Sequence, residues 1–240
     1  FAYAVIQTKR FGDWVTPALP WALFSACVLG VGIMMGGKWA YESLSFGGYW
    51  AWDPVENASL VPWLILIAGL HTMVIYKATG HSLKASYLFA FLSFIFILYS
   101  TFLTRTGVLG DTSVHAFTEN GDAISFKLLG KVISFKVLNA MIGLFLAAFI
   151  IPPFSLFIKN LKKIPSETKE ESINSREFWM FIGSLVFFLA AIFIIAKTSV
   201  PVYNKIFGTH IAPPENVEFS YNKVIVLVAI IIGLLSAVTQ

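Results

Sequence analysis

The residues that could do chemistry gather in one stretch, Trp39-Ala-Tyr-Glu-Ser-Leu-Ser-Phe-Gly-Gly-Tyr-Trp-Ala-Trp-Asp-Pro-Val-Glu-Asn-Ala-Ser-Leu-Val-Pro-Trp63, which holds four Trp and three further aromatics. Indoles arranged in a plane beside Gly47-Gly48 suit a flat, apolar ligand that backbone approaches closely. The competing reading is a belt at the lipid headgroups, because Trp and Tyr favour membrane–water interfaces. A belt needs only scattered aromatics and gives no reason for Gly-Gly-Tyr-Trp-Ala-Trp-Asp. Residue types alone leave both readings open. Asp53-Pro54-Val55-Glu56 also reads as a helix start, with Asp at the N-cap, Pro at the first helical position and Glu closing a capping box. That accounts for both carboxylates without catalysis.

Of four histidines, His71 lies inside an apolar run, about five residues before its end. A titratable group within a membrane span points to function: a proton relay, a metal or heme iron ligand, or an interhelical hydrogen bond. No Glu-x-x-His or His-x3-His spacing accompanies it, which argues against zinc or di-iron. His115 follows Thr104-Arg-Thr-Gly-Val-Leu-Gly-Asp-Thr-Ser-Val, where Asp111 or Ser113 would cap a short interfacial helix presenting it. A lone loop histidine is ordinarily a solvated side chain. His81, in a basic turn, and His210, in a Pro-rich loop, carry less. No Ser-His-Asp order, phosphate-binding Gly loop, CxxC or HExxH occurs.

These groups need a scaffold, and composition names its class. The chain is 57% hydrophobic and 12% charged, about half the usual charged fraction. Its mean hydropathy is +0.77. This leaves too little polar surface for a water-soluble core and excludes intrinsic disorder, a disulfide scaffold (there is one Cys) and a nucleic-acid module. The lone Cys27 reads as a buried small hydrophobe. A spanning helix needs about 20 apolar residues. Six segments qualify or nearly so: Pro17–Gly37, Ala58–Tyr76, Ala85–Leu103, Val137–Ile158, Phe178–Ala196 and Lys223–Gln240. The expected fold is therefore an all-α, polytopic transmembrane helix bundle, with interfacial helices in its outer loops. Gly30, Gly32, Gly36 and Gly37 give the first span a small face suited to close packing.

Six crossings divide the basic residues nine against eight between the two sides, which orients nothing. The charged stretch 159–177 is the more typical cytoplasmic loop. The long aromatic, Gly- and Pro-bearing loops 38–57, 104–136 and 197–222 then face outward. A chain opening Phe-Ala-Tyr-Ala-Val, without Met, is expected to be an excised piece of a longer protein.

Gly47–Trp63 resembles the tryptophan-rich WWD signature of the heme-handling proteins of cytochrome c biogenesis. Leu70-His71, Phe102-Leu-Thr-Arg-Thr-Gly-Val-Leu109 and Thr112-Ser-Val-His-Ala-Phe117 sharpen the likeness to the CcmF-type heme lyase subunits of maturation system I. The CcsA-type relatives usually read Trp-Asp-Pro-Lys-Glu where this chain has Trp52-Asp53-Pro54-Val55-Glu56. The likeness is specific over about residues 14–120; beyond residue 137 it is a similar run of spans.

The resemblance implies one heme-handling domain over residues 1–240, with the WWD segment at 38–63 and an outer histidine loop at 104–136. It places heme at the outer face on Gly47, Gly48, Tyr49, Trp50, Trp52, Asp53, Pro54, Glu56 and Asn57, with His115 ligating its iron. His71 would ligate a permanent transmembrane b-type heme. The partner histidines expected for both irons would precede Phe1 and follow Gln240. The implied function is a heme lyase working in a complex, in the bacterial inner membrane, with those loops facing the periplasm. It would present heme for thioether attachment to the CxxCH segment of apocytochrome c, alongside a heme chaperone and thiol-handling subunits. No nucleic acid is implied. Two other readings stand: a heme exporter whose WWD loop is an exit site, and a non-catalytic membrane scaffold.

Overall fold

A computed structural model describes residues 8–43, 48–113, 123–128, 131–167 and 171–239. In chain order the elements are α1 (Val15–Ser43), α2 (Pro54–Thr79), α3 (Leu83–Arg105), a 3-10 turn (Gly110–Thr112), β1 (Ala123–Leu128), β2 (Lys131–Lys136), α4 (Val137–Asn160), α5 (Arg176–Thr198), α6 (Val200–Phe207) and α7 (Val217–Val238). Six of these helices, all but the short α6, are long and apolar enough to cross a membrane. The chain is a multi-pass, helical membrane protein.

The helices outrun the apolar segments because polar residues cap them outside the hydrocarbon-like stretch. The last span starts at Val217 rather than Lys223, because the Asn216 side chain accepts from the Phe219 N–H at 2.8 Å. At the other extreme, α2 runs on to Thr79 and closes on Gly80, whose φ of 81° fits the left-handed cap a glycine adopts without strain. His71 therefore lies eight residues inside the end of its helix, about 12 Å at the helical rise, deeper than the sequence suggested.

Helix α2 is the hub. It packs most extensively on α3 and α5, and less on α1; α4 lies outside on α3, and α7 on α5. Its apolar window is 61% buried, against 6% for α1. Trp21, Phe24, Met34 and Met35 of α1 stay exposed, and in a bilayer such surface faces lipid. Cys27 is exposed too, contrary to the sequence reading, because α1 packs along one side only.

Of the four small-face glycines, two make close approaches. A Cβ on Gly30 would sit 3.0 Å from Nε1 of Trp63, which donates to the Ala26 carbonyl at 2.9 Å. A Cβ on Gly37 would sit 2.8 Å from the Tyr49 carbonyl oxygen, whereas Gly32 and Gly36 face open space.

Ser199 joins α5 to α6: its N–H donates to the Ile195 carbonyl, ending α5, and its hydroxyl accepts from Tyr99 of α3 at 2.8 Å. Among the described residues the loops hold the 3-10 turn and α6 as short helices, and β1 pairs antiparallel with β2, Leu128 opposite Lys131. The bundle is helical as expected, and the strand pair is an addition that the span count did not suggest.

Candidate functional site

The WWD segment enters α2 through a dense set of hydrogen bonds. Asp53 Oδ1 accepts from the Val55 N–H at 2.8 Å, and Glu56 Oε2 accepts from the N–H groups of Asp53 and Ala51, each at 3.0 Å. With Pro54 in the first turn, this is the capping box read in the sequence. Asp53 Oδ1 also accepts from the Ser113 hydroxyl at 2.7 Å, which fastens the loop after α3 to the start of α2. Ser113 stands two residues before His115 in the sequence, and the helix that Asp111 or Ser113 was expected to cap would run into residues outside those described. His115 and Gly47 both lie outside the described residues.

Trp52 is held in a conformation it would not choose. Its φ of 58° is left-handed, which costs a bulky residue about 1–2 kcal/mol. Three contacts hold it there. Its ring stacks on Tyr221 at 4.9 Å and 5°, its Nε1 donates to Asn222 Oδ1 at 2.8 Å, and its carbonyl accepts from the fully buried Asn57 side chain at 2.9 Å. Trp50 meets Trp52 edge to face, at 5.8 Å and 87°. The indoles are therefore not the coplanar platform inferred from residue types, because the inward turn at Trp52 sends them to different walls.

Trp50 and Tyr49 line a wide groove against Val31, Met34 and Gly37 of α1, where Trp50 Nε1 is buried without a hydrogen-bond partner. Tyr49 stacks on Tyr41 at 4.4 Å. Trp52, Asp53 and Pro54 line a separate cavity of about 310 Å³, closed by Thr112, Lys197, Pro213 and Tyr221 among others. Glu56 and Asn57 line neither; they act on the WWD backbone. Gly48 stands beside the Trp50 backbone.

His71 sits apart, half-buried in the second half of α2. Its Nδ1 lies 2.8 Å from the Ile67 carbonyl oxygen, which can only accept, so Nδ1 carries a proton and donates it there. The ring is 5.6 Å from Phe187 and lines a cavity of about 150 Å³ with Trp179 and Met180 of α5 and Leu235 and Ser236 of α7. Metal-ligating histidines are commonly oriented in this way, by an Nδ1–H held on a backbone carbonyl that leaves Nε2 to face the metal. Among the described residues no three His, Cys, Asp or Glu converge, so His71 offers a single ligand. His81 is engaged elsewhere, paired with Glu171 at 2.8 Å, and His210 is exposed.

Tyr221, Asn222 and Lys197 were not singled out as site residues by sequence. The available signal was chemical: a buried indole N–H needs an acceptor, but nothing in the chain order says it lies 170 residues away.

Residues 9–109 match the family model described as cytochrome C assembly protein. The chain is 33% identical to the cytochrome c-type biogenesis protein CcmF of Pseudomonas aeruginosa, over 84% of this chain and 28% of that protein. It is likewise 33% identical to CcmF of Escherichia coli, over 87% of this chain and 30% of that protein. The cytochrome c-type biogenesis protein NrfE of Haemophilus influenzae is 47% identical over 40% of this chain and 15% of its own length. A solved structure titled Cytochrome c Heme Lyase CcmF superposes with a TM-score of 0.64 at 28% identity, covering 98% of this chain and 31% of that one. The fold is that of a multi-pass membrane protein, and the matches place it in the cytochrome c assembly class. Within that class the chain belongs to the CcmF-type proteins, and it spans less than a third of the length of these relatives.

Proposed function

We propose that this chain is the heme-presenting part of a cytochrome c heme lyase, residues 1–240 forming one heme-handling domain. The observation that carries the reading is that a single cavity gathers Trp52 and Asp53 of the WWD segment with Thr112, three residues before His115 in the sequence. Its donor set suits a porphyrin: flat walls from Trp52, Tyr221 and Pro213, and polar groups at Asp53, Thr112 and Lys197. His115 supplies the iron ligand there, while Trp50, Tyr49, Gly47 and Gly48 form the neighbouring approach. Glu56 and Asn57 fix the segment's shape. His71 would hold a second, b-type heme by supplying an imidazole ligand to its iron.

Bound heme supplies the two vinyl groups to which the cysteine thiols of an apocytochrome CxxCH segment add, forming two C–S bonds with each thiol hydrogen passing to the neighbouring vinyl carbon. The reactive sulfurs belong to the substrate, so the protein contributes position: a stacked, hydrogen-bonded Trp52 and a loop tied down at Ser113. The loops 38–57, 104–136 and 197–222 face the periplasm of a bacterial inner membrane, where a heme chaperone and thiol-handling subunits deliver the two substrates. The lone Cys27 has no part in the chemistry.

The test is a reduced-minus-oxidised spectrum with pyridine hemochrome quantitation on the full-length parent protein and its His71→Ala and His115→Ala forms. Heme content should fall with His71→Ala, and His115→Ala should alter the spectrum or lose a second heme. Equal, heme-free spectra from all three would sink both assignments.

A further inference from the structure

Lys197 lines the cavity beside Trp52, and among the described residues no carboxylate forms an ion pair with it. It closes the last turn of α5, half-buried. Its ammonium donates to the Ser220 carbonyl oxygen at 3.1 Å and to the Ser220 hydroxyl. It also lies 4.3 Å from the ring centroid of Tyr221, the ring on which Trp52 stacks, and 5.3 Å from that of Phe193.

These contacts satisfy hydrogen-bond donors without neutralising a charge. Lys197 forms no ion pair among the described residues. The charged neighbour acting on it, Lys223, has the same sign. Glu215 and Glu218, at the start of α7, are exposed and unpaired with it. Among the described residues the carboxylate lining the cavity is Asp53, which already receives the Val55 N–H and the Ser113 hydroxyl. Drawing an ammonium out of water beside an apolar wall is unfavourable unless an anion joins it. A lysine that merely snorkels to water would leave its head clear of the aromatic stack; this one is turned onto it.

We infer that the cavity beside Trp52 binds the carboxylate of a flat, apolar ligand, with Lys197 as its counter-ion. The inference rests on the heme reading and adds to it the group that sets the orientation: a propionate at Lys197 turns the opposite, vinyl-bearing edge of the macrocycle away from α5. The neutral part of the ligand lies along Trp52 and Tyr221. Ser220 and the Tyr221 ring hold the ammonium in place before the ligand arrives, so little side-chain freedom is lost on binding.

The probes are hemin and hemin dimethyl ester, which differ only in whether the two carboxylates are masked. The full-length parent protein, in nanodiscs of phosphatidylcholine, is titrated with each by difference absorbance, so that resident heme cancels. Wild type should bind hemin at least roughly tenfold more tightly than the ester, the range of one hydrogen bond to a charged group. Lys197→Met should bring the two affinities to within about twofold of each other, while Lys197→Arg and Ser220→Ala keep most of the preference. If Lys197→Met leaves the preference intact, the inference is overturned. It is also overturned if that variant instead loses co-purifying phosphatidylglycerol while its porphyrin preference stays unchanged, since the cation then serves a lipid headgroup. Equal binding of both porphyrins by wild type refutes this inference alone; uptake of neither refutes the heme reading beneath it.

Discussion

At the N-terminal end of α2, Asp53, Glu56 and Asn57 hold five backbone or hydroxyl groups of the WWD segment and the loop after α3. Eighteen residues further on, His71 makes one hydrogen bond, and that one to its own helix, four residues back. The same helix thus carries one site whose shape is fixed by long-range contacts and one whose single imidazole is aimed by local geometry alone. The difference suits two tasks. A site that must accept and release a flat ligand repeatedly has to keep its form when empty. A permanently held group can complete its own site, needing only a ligand with the correct tautomer.

The largest effect expected from breaking this contrast is at His71. His71→Ala should abolish the absorbance of a b-type heme while leaving Trp fluorescence of the WWD region unchanged, because the imidazole's hydrogen bond is to its own helix and its ring contact is with Phe187, away from Trp52. A loss of both signals together would show the two sites to be one cooperative unit. Next comes Asn57→Leu, which strands the buried Trp52 carbonyl and releases its left-handed backbone. The expected cost is about 1–3 kcal/mol in thermal or denaturant melts, the range for an unsatisfied buried group. The His71 spectrum should survive it.

Asp53→Ala should cost about 1–2 kcal/mol as a lost N-cap. Asp53→Asn, which keeps an acceptor for Val55 and Ser113, should recover most of that in the same melt. The smallest effect expected is from Asn222→Leu, one neutral hydrogen bond of about 1 kcal/mol. Its signature should be a shifted Trp emission maximum, and an unshifted maximum would show that the Tyr221 stack alone positions Trp52.

The spans were legible because each is a long apolar run, and the start of α2 was legible because a capping box is local: Asp53, Pro54 and Glu56 explain one another within four residues. The start of α7 was not, since Val217-Glu-Phe-Ser-Tyr-Asn is too polar to read as membrane and becomes helix through the Asn216 cap. The strand pair β1–β2 did leave a trace, Ile-Ser-Phe-Lys appearing at 124–127 and again at 133–136 in the sequence, but a search for 20-residue spans passes over six-residue strands. The WWD residues could be listed in advance, but the two directions their rings take could not. That division follows from Trp52 turning into the left-handed region, and from acceptors on α7 that no local pattern connects to it.

Ser199 has a mechanical consequence. Because it ends α5, begins α6 and is pinned by Tyr99 of α3, the junction works as a bracket rather than a hinge. Val200, Pro201 and Asn204 of α6 form one wall of the cavity beside Trp52, and that wall travels rigidly with α3 and α5. Asn204 anchors the strap beyond α6 at both Thr209 and Ile211, leaving the Pro213-Pro214 stretch as the part whose displacement would widen the cavity.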